Sequence, residues 1–377
     1  MKFIDLFSGI GGFRSGLEKN GHKAIAYSEV DKYAKQSYTS IYETSEELDL
    51  GDITKVSNEQ WQDLKGKANI IVGGSPCQSF SLAGKRRGFE DTRGTLFFHY
   101  VNAIKEVQPE FFIFENVKGM MSHDKGETIK TVLSSFNEIG YDIDFDVFNS
   151  KYYGVPQNRE RIYIVGKRKD LGINESRESV KGKKKLDQLK NWAIENINYV
   201  KLLPENNNEN VEKRLVDVLE DKVDEKYYLS EEKTKKLTLN LDLEGLSPAL
   251  NCMRGGGLEP KIAVREATKQ GYAIAEQGDS VNVTYPDSKT RRGRVGKQVA
   301  QTLQAGEVNQ GVVMNDIRIR KLSPLECWRL QGFTDEQFYK AKDSGVSNSQ
   351  LYKQAGNAVT VNVVDAITKE LFKHGLK

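Results

Sequence analysis

Residues 2–13 read KFIDLFSGIGGF, a short apolar run that leads into a glycine-rich turn. The run is much shorter than a membrane-spanning helix, and Asp5 interrupts it, so a buried strand is favoured over a signal peptide. Glycines at such a turn let the backbone approach a ligand closely, and a helix that begins there offers free N–H donors. This stretch therefore predicts a strand, a ligand-binding turn and a helix.

The same alternation continues outward from this stretch as far as residue 166. Further strands are predicted at KAIAYS (23–28), ANIIVGG (68–74), EFFIFEN (110–116), DIDFDVFN (142–149) and RIYIVG (161–166). The segments between them that are long enough for crossover helices are 11–20, 31–42, 95–107 and 125–139. Strands that alternate with helices predict an α/β fold with a mostly parallel sheet and helices on both faces.

Beyond residue 167 the chain becomes polar, then glycine-rich, and helical patterning returns after residue 316. Its length of 377 residues suits two domains. We expect a sheet domain over 1–166, an inserted and mostly irregular or β domain over 167–315, and a C-terminal helical return to the first domain over 316–377.

The composition is that of a soluble globular protein, with 29% charged residues and a formal net charge of +3. Such mild basicity permits nucleic-acid binding without implying it. Cys77, Cys252 and Cys327 are odd in number and far apart, which argues against a disulfide framework and a zinc site. The same cysteine usage predicts a reducing cytoplasm.

Two acidic residues near the first glycine-rich turn are candidates for binding a nucleoside. Glu29 ends the second predicted strand, where a carboxylate suits the paired hydroxyls of a ribose. Asp52 follows the next short segment and suits an adenine amino group. The alternative is a plain strand, turn and helix with two surface carboxylates, and this segment alone leaves both interpretations open.

A second group of candidates follows later strands. Cys77 lies in GGSPCQSFS (73–81) and is a candidate nucleophile, although a buried structural cysteine is the commoner case. Glu115 follows four apolar residues, so partial desolvation favours general acid work, unless the side chain simply faces solvent. Arg159 and Arg161 project to one side of an extended segment and suit a carbonyl or phosphate, but such pairs are also common in surface salt bridges.

Taken in order, these motifs resemble the cytosine carbon-5 DNA methyltransferases. The resemblance covers about residues 1–166 and 316–372, and it is closest to bacterial and Bacillus-phage enzymes. The matching motifs are DLFSGIGGF (5–13), Glu29, Asp52, GSPCQSFS (74–81), RGTLFF (93–98), FENV (114–117), QNRERIY (157–163), RKLSPLECWRLQGF (320–333) and QAGNAV (354–359).

The resemblance implies a Rossmann-like sheet domain that binds S-adenosylmethionine, a small target-recognition domain, and no metal ion. It implies transfer of the methyl group to carbon 5 of a cytosine flipped out of duplex DNA, with S-adenosylhomocysteine as product. The implied catalytic residues are Cys77, Glu115, Arg159 and Arg161. The implied cofactor contacts are Phe7, Gly9, Ile10, Gly11, Gly12, Glu29, Val30, Asp52, Ile53, Pro76, Leu96 and Asn357.

The basic run PDSKTRRGRVGK (286–297) suits DNA phosphates and guanine edges, although a solvated basic loop is the alternative. The residues predicted to contact DNA are Lys85, Arg86, Arg87, Arg93, Arg254, Arg291, Arg292 and Arg294. The predicted setting is a monomer in the bacterial cytoplasm or nucleoid, away from membranes. It would belong either to a restriction–modification system, in which a separate restriction endonuclease acts on the same site, or to a phage system.

Two other functions remain open on the sequence alone. The first is carbon-5 methylation of RNA, which the recognition insert of roughly 150 residues argues against. The second is a catalytically silent DNA-binding homologue, which the presence of Cys77, Glu115, Arg159 and Arg161 argues against.

Overall fold

The computed structural model describes residues 1–76, 96–172, 175–206, 213–239, 261–306, 308–316 and 318–373. Contacts divide the chain into two compact units. Unit 1 comprises Met1–Asn149, Glu160–Asn207 and Val359–Lys377, and unit 2 comprises Ser150–Arg159 and Asn208–Ala358.

Unit 1 is built on a seven-stranded sheet. Its strands are β1 (Lys2–Leu6), β2 (Lys23–Ser28), β3 (Leu48–Asp49), β4 (Ile70–Gly73), β5 (Phe111–Val117), β6 (Tyr141–Asn149) and β8 (Glu160–Arg168). They lie in the order β3-β2-β1-β4-β5-β8-β6. The strands from β3 to β5 pair in parallel, whereas β8 is antiparallel to both β5 and β6.

In unit 1, helices occupy the four predicted crossover segments, and further helices lie at 58–62, at 185–196 and at the C-terminus. Their bounds are α1 (Gly12–Glu18), α2 (Lys32–Ile41), α3 (Asn58–Gln62), α4 (Leu96–Val107), α5 (Glu127–Glu138), α6 (Lys185–Asn196) and α11 (Val361–Lys373). Helix α11 packs on α1. A Cβ at Gly16 of α1 would lie 2.6 Å from the Val364 side chain, so glycine permits the close helix contact.

The central strands of unit 1 are buried on both faces of the sheet. Ile4 and Leu6 of β1 belong to a buried cluster with Phe112 of β5 and Phe136 of α5. Because side chains alternate along a strand, Asp5 points to the opposite face, where α1 packs. The predicted mostly parallel sheet with helices on both faces is thus confirmed.

Unit 2 is a collection of short strands and helices. Its strands are β7 (Gln157–Asn158), β9 (Thr238–Leu239), β10 (Lys261–Arg265), β11 (Tyr272–Glu276), β12 (Ser280–Asn282), β13 (Val295–Gly296), β14 (Ala300–Gln301), β15 (Gln310–Val313) and β16 (Ile319–Lys321). They form small sheets in the orders β11-β10-β9, β13-β12-β15-β16 and β14-β7. The helices are α7 (Glu231–Leu237), α8 (Pro324–Arg329), α9 (Asp335–Asp343) and α10 (Asn348–Asn357). Unit 2 thus has the short strands expected of a mostly irregular or β domain, and it also contains the helices α7 to α10.

Two features of this architecture differ from the sequence expectation. Strand β8 is antiparallel to β6 because the segment 150–159 between them is too short for a crossover helix. Residues 175–206, placed by the sequence in the second domain, pack in unit 1. Buried Asp144 of β6 holds them there, since it pairs with Arg177 at 2.6 Å and accepts hydrogen bonds from the Leu202 and Leu203 amides.

The C-terminal return is also divided between the units, because α8, α9 and α10 belong to unit 2 and α11 to unit 1. Among the helices that the structure describes, none combines the length and the apolar composition needed to cross a membrane.

Candidate functional site

The turn that follows β1, residues 8–12, is named the glycine turn. Gly9 and Gly11 adopt positive φ angles of 56° and 80°, which glycine tolerates without strain. A Cβ at Gly12 would lie 2.5 Å from the carbonyl oxygen of Val359. Phe7 also has a positive φ of 54°, an uncommon conformation for a bulky residue. The backbone here is therefore a close-fitting loop that larger residues would disrupt.

Two residues outside the sequence prediction hold this turn in place. The Tyr42 hydroxyl donates to the carbonyl oxygen of Gly11 at 2.9 Å and lies 2.6 Å from Ser15 Oγ. Arg14 is buried beneath Tyr42, with its guanidinium 4.3 Å from the ring centroid. No motif signals Tyr42 in the sequence, and Arg14 stands where a dinucleotide fingerprint would have its last glycine.

The positive charge of Arg14 is balanced within unit 1. Its guanidinium pairs with Glu18 at 2.7 Å and with Glu47 at 2.8 Å. Burial by itself lowers the pKa of Arg14, but Tyr38 and the two carboxylates outweigh burial, so the pKa is raised above its usual range. The arginine therefore stays charged and links α1 to the segment before β3.

Asp5 lies fully buried at the β1 end, on the face that carries Arg14. Burial raises the pKa of this carboxyl well above its usual range, and nearby Arg14 only partly opposes the effect. Neither carboxyl oxygen has a hydrogen-bond partner among the described residues. A neutral, protonated carboxyl is the form that suits such surroundings.

Glu29 connects the end of β2 to the glycine turn. One carboxylate oxygen accepts from the Gly9 amide at 2.8 Å, and the other accepts from the Val30 and Asp31 amides. A carboxylate has about four lone-pair sites, and these three hydrogen bonds leave about one to accept from a ribose hydroxyl. Val30 beside it is apolar yet 71% exposed, which offers an adenosine an apolar contact.

The other candidate cofactor contacts of unit 1 also follow the carboxyl ends of parallel strands, where sheets of this kind bind ligands. Asp52 accepts from the Thr54 amide and hydroxyl, and these hydrogen bonds lower its pKa. Ile10 and Ile53 are buried, Leu96 is half-buried at the start of α4, and Pro76 is exposed. Asn357 ends α10 in unit 2 and is exposed.

At the ends of β4 and β5, the structure brings a second set of candidates together. Glu115 lies next to Arg161 of β8, with 3.2 Å between Glu115 Oε1 and Arg161 Nε. A Cβ at Gly74 would lie 2.9 Å from Glu115 Oε2 and 3.1 Å from the Glu115 carbonyl oxygen, so a larger residue here would displace the carboxylate. The Asn116 amide donates to the Ser75 carbonyl oxygen at 3.0 Å, which fixes the segment that leads to Pro76.

Arg159 has a different setting from Arg161. It is buried in unit 2, and its guanidinium donates to the carbonyl oxygens of Gly356 at 3.2 Å and Ala358 at 2.8 Å. A Cβ at Gly356 would lie 2.6 Å from the Ala305 amide nitrogen. Arg159 therefore positions the QAGN segment that ends at Asn357, a role its sequence motif did not indicate.

Six predicted residues lie outside the described part of the chain. They are the candidate nucleophile Cys77 and the basic residues Lys85, Arg86, Arg87, Arg93 and Arg254. Cys327 is buried in α8, and burial raises the pKa of its thiol well above its usual range.

Residues 285–294 of unit 2 are named the basic turn. Arg291 and Arg292 lie toward the surface, and Arg292 Nε donates to the Ala267 carbonyl oxygen at 2.9 Å. Arg294 differs from the sequence expectation of a DNA contact, because it is only 1% exposed. Its guanidinium donates to three backbone carbonyl oxygens, those of Asn282, Thr284 and Tyr285, and so stabilises the turn from below.

Comparisons with known proteins show which sequences this chain is similar to. A sequence model of the family described as C-5 cytosine-specific DNA methylase matches residues 1–373. The chain is 40% identical to the orphan methyltransferase M.SPRI of Bacillus phage SPR, over 98% of this chain and 97% of the relative. It is 36% identical to the type II methyltransferase M.HpaII of Haemophilus parainfluenzae, over 98% and 89% of the two chains.

Solved structures share the fold at lower sequence identity. The S. pombe Dnmt2 methyltransferase is similar with a TM-score of 0.59 and 17% identity, over 99% of both chains. The Entamoeba histolytica methyltransferase EhMeth is similar with a TM-score of 0.55 and 15% identity, over 100% of this chain and 99% of the other.

Proposed function

The chain belongs to the C-5 cytosine-specific DNA methylase family and is a DNA cytosine carbon-5 methyltransferase, and we propose the following roles for its residues. Unit 1 binds S-adenosylmethionine and carries the chemistry, with Cys77 as nucleophile. Unit 2 reads the DNA sequence. The observation that carries the proposal is the pair Glu115–Arg161 beside the segment that leads to Pro76 and Cys77.

The cofactor assignment is supported by the shape of unit 1. The glycine turn leaves no room for side chains at Gly11 and Gly12, and Glu29 retains acceptor capacity beside exposed Val30. We therefore assign the methionine part of the cofactor to the glycine turn, the ribose to Glu29, and the adenine to Asp52 and Ile53. Bound S-adenosylmethionine would supply a methyl group on a positively charged sulfur.

The side chains at the carboxyl ends of β4 and β5 carry out the remaining chemistry. Carbon 5 of cytosine is too weak a nucleophile to accept a methyl group directly. When the Cys77 thiolate adds to carbon 6, the new C–S bond places electron density on carbon 5. Glu115, acting as an acid, shares a proton with ring nitrogen 3 and makes this addition easier.

Arg161 has two tasks in this scheme. Its pairing with Glu115 at 3.2 Å orients the carboxyl, and its remaining N–H groups can donate to the base carbonyl. After carbon 5 has accepted the methyl group, a water molecule removes the carbon-5 proton. The C–S bond then breaks and restores the double bond, and Cys77 is released. The target base must leave the stack to reach these groups, at a few kcal/mol of unstacking.

We further propose that the protein acts as a monomer on duplex DNA, in the cytoplasm or nucleoid of a bacterium. One relative is named an orphan enzyme and another a type II enzyme. A separate restriction endonuclease acting on the same site would be blocked by the methyl groups that this protein adds. Sedimentation of the purified chain with and without duplex tests the monomer.

Methylome sequencing of an expressing strain, by bisulfite or enzymatic conversion, tests the activity and gives the recognition sequence. We expect protected cytosines in one sequence context with the wild type and none with Cys77→Ser. A conversion pattern identical to that of an empty strain, obtained with folded and soluble wild-type protein, would overturn the proposed function.

A further inference from the structure

The basic turn exposes an aromatic residue on a strained backbone. Tyr285 is 64% exposed and has a φ of 48°, in the left-handed region that bulky residues rarely adopt. Such a conformation is strained and persists only where the surrounding structure imposes it. An exposed ring gains little from burial, so folding of unit 2 does not explain why tyrosine stands here.

The surrounding structure imposes this conformation through two anchors. Arg294 Nη2 donates to the Tyr285 carbonyl oxygen at 2.6 Å, and its Nη1 donates to two further backbone carbonyl oxygens. On the other side of the turn, Glu266 accepts from the Gly293 amide at 3.2 Å and the Arg294 amide at 2.6 Å. The turn is thus fixed at both ends, and its outer residues have little freedom.

The charge around the ring is predominantly positive. The Arg291 guanidinium lies 5.8 Å from the Tyr285 ring centroid, and Lys289 and Arg292 belong to the same turn. The acid of the turn, Asp287, lies 3.9 Å from Lys236. Because the turn carries more basic than acidic side chains, a polyanion at this surface would relieve their mutual repulsion.

Resting on the proposed function, we propose that Tyr285 is a specificity-determining residue whose ring contacts bases of the recognition sequence. Arg291 then binds an adjacent phosphate. In a duplex an aromatic ring can make apolar contact with a base edge such as the thymine methyl group, and a cation beside the ring fits the sugar–phosphate chain. A rigid turn suits this task because its ordering cost is met on folding rather than on binding.

The Tyr285→Gly variant removes the ring and also relieves the backbone strain, so it tests DNA recognition without weakening the fold. Glycine accepts a positive φ without strain, so we expect a thermal midpoint equal to or above that of the wild type. The probes are a synthetic duplex carrying the site found by methylome sequencing of the wild type and a scrambled duplex of equal composition. We expect the discrimination between the two duplexes, the ratio of their dissociation constants, to fall by about 5- to 150-fold, the range that one mismatched base pair costs in a recognition site. The salt dependence of binding should stay unchanged, because no charge is removed.

Two further variants serve as controls. Tyr285→Phe keeps the ring and should retain discrimination, so a Phe variant that no longer discriminates would overturn the assignment to the ring. Tyr339→Ala removes another exposed tyrosine of unit 2, in α9, and should leave discrimination as in the wild type.

The outcomes distinguish this inference from the proposed function. A wild-type enzyme that methylates one sequence, together with a folded Tyr285→Gly variant that discriminates equally well, would overturn the role of Tyr285 and leave the function intact. A wild-type enzyme that methylates no DNA would instead overturn the proposed function on which the inference rests.

Discussion

The glycine turn of unit 1 and the basic turn of unit 2 are each held by a buried arginine, but the two arginines have different partners. Arg14 pairs with the carboxylates of Glu18 and Glu47. Arg294 donates to backbone carbonyl oxygens and has Arg291 near it. Their pKa values accordingly shift in opposite directions, upward for Arg14 and downward for Arg294, although burial acts on both.

This difference indicates what each turn is built to receive. The glycine turn has its charges balanced within unit 1, which supports the proposal that its ligand is bound by close approach of the backbone and by Glu29. The basic turn retains an excess of positive charge that an anionic partner would neutralise. The first turn is thus suited to a small cofactor and the second to the phosphates of DNA.

The largest expected difference between the turns is in stability. Arg14→Met leaves two carboxylates without their buried partner and should lower the free energy of unfolding by about 3–5 kcal/mol. Arg294→Met leaves backbone carbonyl oxygens without donors and should cost about 1–3 kcal/mol. Urea denaturation measures both changes, and hydrogen exchange should show faster exchange confined to the unit that carries the substitution. Equal destabilisation in the two variants would remove the distinction between the arginines.

The next effect concerns ligand selectivity. Glu29→Ala should weaken S-adenosylhomocysteine binding by about 1.5–3 kcal/mol, the range for hydrogen bonds to a charged group, and leave duplex affinity near normal. Isothermal titration measures the first and a gel-shift titration the second. Glu46→Ala is the matched control, since it removes an exposed carboxylate of unit 1 that pairs with exposed Lys23. Unchanged cofactor affinity in Glu29→Ala would contradict the ribose assignment.

The two turns were not equally accessible from the sequence. The glycine turn follows a recognisable strand and its glycines are required by positive φ angles or close contacts, so it was predicted correctly, as were the parallel strands. Tyr42 was missed because it lies 31 residues after Gly11 and meets it only in the folded chain. Arg294 was predicted to contact DNA because charge patterning does not reveal burial. The packing of 175–206 in unit 1 likewise depends on long-range contacts, whereas the antiparallel direction of β8 follows from the short segment 150–159 before it.

A smaller effect tests the electrostatic role of the basic turn. Arg291→Gln with Arg292→Gln should reduce the slope of log affinity against log salt by about 0.9 for each phosphate that the variant no longer binds. Affinity should fall for target and scrambled duplexes alike if these arginines bind phosphates only, whereas an arginine that reads a guanine would also relax discrimination when replaced. Lys340→Gln with Lys342→Gln removes the same charge from α9 and serves as control. An unchanged slope would contradict a DNA-facing basic turn.

The smallest effect concerns the pH dependence of stability near the glycine turn. The pKa of Asp5 is raised on folding, so its contribution is present below the unfolded value of about 3.9 and is lost as the pH rises toward the folded value. Asp5→Asn cannot titrate and resembles the protonated acid. We therefore expect the variant to gain stability relative to the wild type as the pH rises above that value. Urea denaturation at several pH values measures the difference, and a difference independent of pH would contradict a protonated Asp5.

The central claim is that Cys77 attacks carbon 6 of a target cytosine in DNA. It is tested most directly with a duplex that carries 5-fluorocytosine at the site found by methylome sequencing, because that base has no carbon-5 proton to lose after methyl transfer. With S-adenosylmethionine present, we expect the wild type to form a protein–DNA adduct that survives denaturation, and Cys77→Ser to form none while it still binds the duplex. An adduct with Cys77→Ser, or no adduct with a wild type that methylates the ordinary duplex, would contradict the claim.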